Sequence, residues 1–190
     1  ASAAALAAAI AWAGGRRVSL INLGLGISDP AHEQALSDAV ARATGAGVLI
    51  VAAVDPAGPR WLPGSLPGVV PVRLDWDCPR EEVRAVESDG SWCLVASGYP
   101  RDIPGVPREK NLKGLSFAVA NATGFLARVG VGQERECLCV QILGVADLES
   151  PAGTGQFFDD GGEVPRVWAK AHRHPCQRRL NHAVSPRTFH

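Results

Sequence analysis

The sequence predicts an α/β fold built on a parallel sheet, and three observations carry that expectation. Short apolar runs at 18–23, 48–54 and 69–74 are each long enough for one strand and too short for a buried helix. The segments before and between the first two runs have helical spacing, and the connections are short, which makes the strands parallel and the crossover right-handed. At 190 residues, 46% of them hydrophobic, the chain can bury a real core in one domain.

Ser2 to Ala13 is almost all alanine, with Leu6, Ile10 and Trp12, and stops at Gly14-Gly15, so it reads as a helix. Val18 to Leu23 is mostly apolar, the mark of a strand covered on both faces. Gly24-Leu25-Gly26 ends it in a permissive turn. Asp29-Pro30 opens a second helix, Ala31 to Thr44, with Leu36, Ala39, Val40 and Ala43 on one face and Gly45 and Gly47 closing it.

Val48 to Val54 is a second buried strand, broken by Asp55-Pro56-Ala57-Gly58. In parallel sheets, sites form outside the carboxyl ends of the strands, where Gly24 to Gly26 and Asp55 fall. A loop from Trp61 to Gly68 leads to a third strand, Val69 to Leu74. Glu81 to Gly90 is polar and reads as surface structure, and Cys93 to Ala96 as a fourth strand ending at Ser97-Gly98.

Leu115 to Ala127 is a small-residue helix without charge before Arg128, so most of its circumference is expected to be buried. Ser116 sits at its start. There it either caps the backbone or stands at the positive end of the helix dipole, where an anionic intermediate would be stabilised. Cys137 to Val145 is a further strand candidate, 149–163 a polar loop, and Val167 onward a basic tail. That tail carries His172, His174, Cys176, His182 and His190, which match no closed zinc spacing, so neither metal nor cofactor is expected.

Lys+Arg and Asp+Glu balance at 19 each, which gives no electrostatic case for nucleic acid or a membrane surface as partner. The alanine-rich opening is too short to span a bilayer and lacks the order of a signal peptide. Five cysteines are an odd number, so a full disulfide framework is not expected, although Cys78 and Cys93 flank a turn and could pair in an oxidising compartment.

Taken in order, these segments resemble the C-terminal half of a subtilisin-like (subtilase) serine peptidase, from the first helix to about Arg128. Ile21-Asn22-Leu23-Gly24-Leu25-Gly26 is similar to the family's Ile-Asn-x-Ser-Leu-Gly, whose edge pairs with the substrate backbone. Ile50 to Asp55 is similar to the strand ending in Ala-Ala-Gly-Asn, whose Asn supplies an oxyanion-hole amide. The segment 63–72 is similar to Pro-Ala-x-x-Pro-x-Val-Ile-x-Val. Val95-Ala96-Ser97-Gly98 stands for Ala-Ala-Pro-Gly, and Gly114-Leu115-Ser116-Phe117-Ala118 for the nucleophile motif Gly-Thr-Ser-x-Ala.

The resemblance implies a three-layer parallel-sheet subtilisin-like fold, incomplete in this chain, over residues 1–130, with 131–190 as a C-terminal extension. It implies Ser116 at the nucleophile position, Asp55 at the oxyanion-hole position, and Leu23, Gly24, Leu25 and Gly26 as the substrate-binding edge. A serine hydroxyl needs a His to take its proton and an acid to orient that His, and in subtilases the order is Asp, His, Ser. Neither an Asp-Thr/Ser-Gly nor a His-Gly-Thr motif precedes Ser116, and the one His before it is His32. Asp55 in place of Asn would repel developing negative charge, and losing that donor costs about 3–4 kcal/mol of transition-state stabilisation.

The expectation is therefore a catalytically incomplete subtilase-fold module, a pseudoprotease that binds a partner subunit or an extended peptide, the latter by strand addition at Leu23 to Gly26. The alternative is the nucleophile-bearing part of a working serine endopeptidase whose Asp and His lie on another chain or segment. Because a bare central strand invites aggregation, a partner chain or a homo-oligomer is expected to cover the strand at 18–23.

Overall fold

The computed structural model describes residues 2–16, 18–55, 57–88, 90–129, 137–145 and 167–174. They form α1 (Ala3–Gly14), β1 (Leu20–Leu23), α2 (Glu33–Gly45), β2 (Leu49–Ala53), β3 (Val69–Leu74), β4 (Val83–Ser88), β5 (Ser91–Ala96), α3 (Leu115–Val129), β6 (Cys137–Val145) and β7 (Val167–His174). The seven strands make one sheet in the order β4-β5-β3-β2-β1-β6-β7. The five central strands are parallel and the two outer ones, β4 and β7, antiparallel to their neighbours. This is a three-layer α/β fold.

One face of the sheet carries α1 and α2. Leu6, Ile10, Leu36 and Val40 pack there on Ile21, Leu23, Ile50 and Ala52, all buried. The other face carries α3, whose Ala118, Val119, Ala122 and Ala127 meet Leu20, Val51, Val70 and Val72. Adjacent residues of a strand point to opposite faces, so Leu20 and Ile21, or Ile50 and Val51, serve different cores. That is why β1 and β2 read as unbroken apolar runs. Fully burying one such aliphatic side chain contributes about 1.5–3 kcal/mol.

The structure departs from the sequence reading at several places. The polar stretch 81–90 contains β4, an antiparallel partner of β5; its single neighbour leaves Arg84 and Glu87 exposed, which gives it a surface composition. A short 3-10 turn, Pro30–His32, precedes α2, with Asp29 as its cap. The outer edge of β1, which a partner chain was expected to cover, is paired in parallel with β6. Cys78 and Cys93 are free thiols, not a disulfide. The loop 149–163, Cys176, His182 and His190 lie outside the described residues.

Candidate functional site

The carboxyl ends of β1, β2, β3 and β5 converge on the start of α3, and each expected site residue occupies one of these ends. α3 begins at Leu115, so Ser116 is its second residue and not its cap. Gly114, with φ 148°, makes the turn into the helix, a conformation that side chains rarely adopt. The carbonyl of Gly114 accepts from the N–H groups of Phe117 at 3.0 Å and Ala118 at 3.4 Å. The amides of Leu115 and Ser116 have no intrahelical acceptor. The Ser116 side chain is exposed and makes no hydrogen bond to another described residue. The capping role considered for it is therefore not the one it has.

Gly24, the first residue after β1, backs directly on Ser116. A Cβ built on Gly24 would stand 3.0 Å from Ser116 Cβ and 3.2 Å from its Cα. This contact brings the end of β1 against the first turn of α3. Leu23 closes the strand and is buried, and Leu25 packs against the α1–α2 core. Gly26 lies under the Trp61 ring, so close that a methyl group there would overlap the indole. Beyond it Ile27 and Leu62 exchange backbone hydrogen bonds of 2.9 and 2.8 Å. No backbone hydrogen bond to a described residue ties Leu25 or Gly26.

Asp55 follows β2, where the N–H of Val54 donates to the Val72 carbonyl at 2.9 Å. Its carboxylate is exposed and Oδ1 accepts from the Ala57 N–H at 3.0 Å, closing an Asx turn. Asp55 and Leu115 line a common cavity of about 310 Å³ with Val54, Arg73 and Leu74. Asp55 and Ser116 are thus placed around one end of the sheet, with Leu115 between the cavity and the hydroxyl.

The supporting roles of Asn121, Thr123 and Arg73 were not found from the sequence. Asn121, one turn into α3, donates through Nδ2 to the carbonyls of Ser97 at 2.8 Å and Tyr99 at 3.0 Å, fixing the loop after β5. The Gly114 N–H donates to the Gly98 carbonyl at 2.9 Å and holds the same loop from the other side. Thr123 accepts from Asn22 Nδ2 at 3.0 Å in the sheet–helix interface. Arg73 lies in the cavity beside Asp55; an arginine inside the apolar run Val69–Leu74 was the available signal.

His32 lies in the exposed turn before α2, with Nε2 3.7 Å from Asp29 Oδ2, and makes no bond to Ser116. The backbone of His172 pairs with Cys139, which pairs with Leu20, and His174 pairs with Cys137. Both are therefore at the amino end of β1, whereas Ser116 touches Gly24 past its carboxyl end. At 3.3 Å per residue the offset along the strand is about 13 Å for His172 and more for His174. Among the described residues, no three of His, Cys, Asp or Glu are grouped to hold a metal ion. The arrangement therefore offers a hydroxyl at a helix start with two amides beside it, and no described base to take its proton.

No protein-family model matches the sequence, and no curated protein matches it. Among solved structures the chain is similar to "Structure of Prenylagaramide maturation protease PagA", with 26% identity and a TM-score of 0.47 over 65% of this chain and 47% of that one. It is also similar to sphericase, at 21% identity and a TM-score of 0.43 over 65% and 48% of the two chains. A third, "S41 Psychrophilic Protease", shares 23% identity with a TM-score of 0.39 over 64% and 48%. The chain spans about half the length of these structures.

Proposed function

We propose that this chain is a protease-related, subtilase-like module that binds an extended peptide at the carboxyl end of β1 and does not hydrolyse it unaided. The observation that carries this reading is the Gly24–Ser116 contact. It sets a serine hydroxyl beside a strand end whose Leu25 and Gly26 backbone groups are available to a peptide, while no described imidazole approaches that hydroxyl. Ser116 without a general base keeps little nucleophilic advantage over an ordinary alcohol. Asp55 adds a negative charge near the position where an oxyanion would form.

A second reading is supported by the exposure of Ser116. Its hydroxyl is not spent on capping α3, and so stays open to a base from another chain or segment that would complete a serine endopeptidase.

A fluorophosphonate probe separates the two. The chain alone is expected to stay unlabelled. Labelling of Ser116 in the isolated chain, lost in Ser116→Ala, would overturn the non-catalytic reading. Labelling only after addition of a second chain would favour the completed enzyme.

A further inference from the structure

Arg73 is half-buried at the end of β3 and lines two adjoining cavities, the one of about 310 Å³ shared with Leu115 and one of about 690 Å³ that runs along β3 to Trp92. Several other described arginines have a partner, and Arg80, half-buried with its Nε unpaired, lies 3.9 Å from Glu81. Arg60 pairs with Glu33 at 2.7 Å and Arg84 with Glu82 at 2.9 Å. Arg108 and Arg128 lie 3.9 and 5.9 Å from the ring centroids of Tyr99 and Phe125. Arg42 and Arg101 are exposed to water. Arg73 makes no hydrogen bond, ion pair or ring contact with any described residue. Asp55 lines both cavities with it, yet no ion pair joins them, and the Asp55 carboxylate is already engaged by the Ala57 N–H.

The Arg73 guanidinium thus offers its N–H groups to the cavities with no carboxylate of the described residues paired to it. Val54, Leu74, Leu115 and Pro71 give the cavities apolar walls, and Ser65 and Ser91 polar ones. Trp92, 54% exposed, stands at the far end of the larger cavity.

We infer that these adjoining cavities are a specificity subsite of the peptide-binding groove, and that Arg73 receives the carboxylate of a Glu or Asp side chain of the bound peptide. The inference rests on the peptide-binding reading above. The fit is one of charge and shape: a planar guanidinium meets a carboxylate with two parallel N–H···O bonds, and the apolar walls receive the side-chain stem. The subsite adjoins Ser116 through Leu115, and reaches it from the β2–β3 side, not from the β1 edge.

The test is fluorescence anisotropy with labelled, amidated octapeptides of alanine and threonine. A single Glu, Gln or Lys is walked through the interior positions. At one position Glu is expected to bind about two- to fivefold tighter than Gln, the range of a partly exposed charge pair. That preference should vanish in Arg73→Gln, survive in part in Arg73→Lys, and turn towards Lys in Arg73→Glu. Circular dichroism spectra and urea unfolding of the four proteins should coincide, which shows that the variants fold.

Equal binding of Glu and Gln peptides at every position, or a preference that persists in Arg73→Gln, would overturn the role of Arg73 and leave the peptide-binding reading standing. Absence of binding by every peptide would overturn both.

Discussion

Asn22 and Thr123, 101 residues apart in the chain, meet in a buried hydrogen bond of 3.0 Å between the middle of β1 and the middle of α3. Thr123 Oγ1 spends its single proton on the Val119 carbonyl at 2.7 Å and accepts from Asn22 Nδ2. Both residues are almost fully buried, at 4% and 2% exposed. The bond lies two residues before the Gly24 contact with Ser116. It therefore fixes the height of α3 along β1 and, with it, where the hydroxyl stands.

Thr123→Val should destabilise the protein by about 1–3 kcal/mol, because it leaves the Asn22 amide buried without an acceptor. At this chain length that is about 2–4 °C in Tm for each kcal/mol. The double variant Asn22→Leu/Thr123→Val should cost less than the sum of the two single changes, since neither partner is then stranded. Strict additivity in urea unfolding would mean that the two side chains are not coupled.

Gly24→Ala should cost about 1–3 kcal/mol, the range for an overpacked contact. The new methyl group would press on Ser116 Cβ and on backbone that cannot turn aside. Ser116→Gly removes half of that contact, so the Gly24→Ala/Ser116→Gly double variant should recover part of the loss in chemical denaturation. No recovery would place the strain elsewhere.

How much of this site the sequence discloses depends on the kind of signal each residue leaves. β1 and β2 were legible because a strand covered on both faces is apolar throughout, β3 because its first four residues are apolar, and the position of Gly24, Asp55 and Ser116 at strand and helix ends followed from that. β4 was not legible, because an edge strand with Arg84 and Glu87 in water has the composition of a loop. Of the two roles open for Ser116, the cap is excluded because Gly114 takes the turn and Ser116 is the second helical residue. Asn121 and Thr123 gave no warning. Their partners are carbonyls and a side chain brought near only by the assembled sheet.

Asn121→Asp tests the brace on the loop after β5, and its effect should depend on pH. A carboxylate has no proton to give the carbonyls of Ser97 and Tyr99, and its charge faces both of them. Near neutral pH the variant should lose about 1–3 kcal/mol and show faster amide exchange at Gly98 and Tyr99. Below about pH 4 the carboxyl is protonated and can donate to one carbonyl, so the deficit relative to the parent should shrink. A deficit that does not change with pH would count against this account.

Cys78 should resist alkylation while Cys93 reacts. Burial pushes the Cys78 thiol above its ordinary range, with Arg84 opposing the shift, and its Sγ is enclosed by the carbonyls of Pro79, Glu82 and Val95 at 3.6 to 3.9 Å. The folded chain thus holds this proton more tightly than the unfolded chain. The stability that follows is fully present below the ordinary thiol pKa and is lost as pH rises through the folded value. Peptide-resolved mass spectrometry after iodoacetamide treatment near pH 8 should find Cys93 modified first. Removing the thiol by Cys78→Ala should flatten the alkaline limb of the stability profile. Equal alkylation rates would show that the site opens readily.

Asp55→Asn isolates the oxyanion position from the missing base. The substitution keeps Oδ1 as an acceptor for the Ala57 N–H, so the turn after β2 and the stability, within about 0.5 kcal/mol, should be preserved. It also replaces a repelling carboxylate with a donor, which in a complete serine peptidase is worth about 3–4 kcal/mol. That gain needs an attacking alkoxide to act on, and Ser116 has no described group to take its proton. Fluorophosphonate labelling of Asp55→Asn should therefore remain at the level of the parent chain. A rise of a hundredfold or more would show that Asp55, and not the lack of an imidazole, holds Ser116 silent.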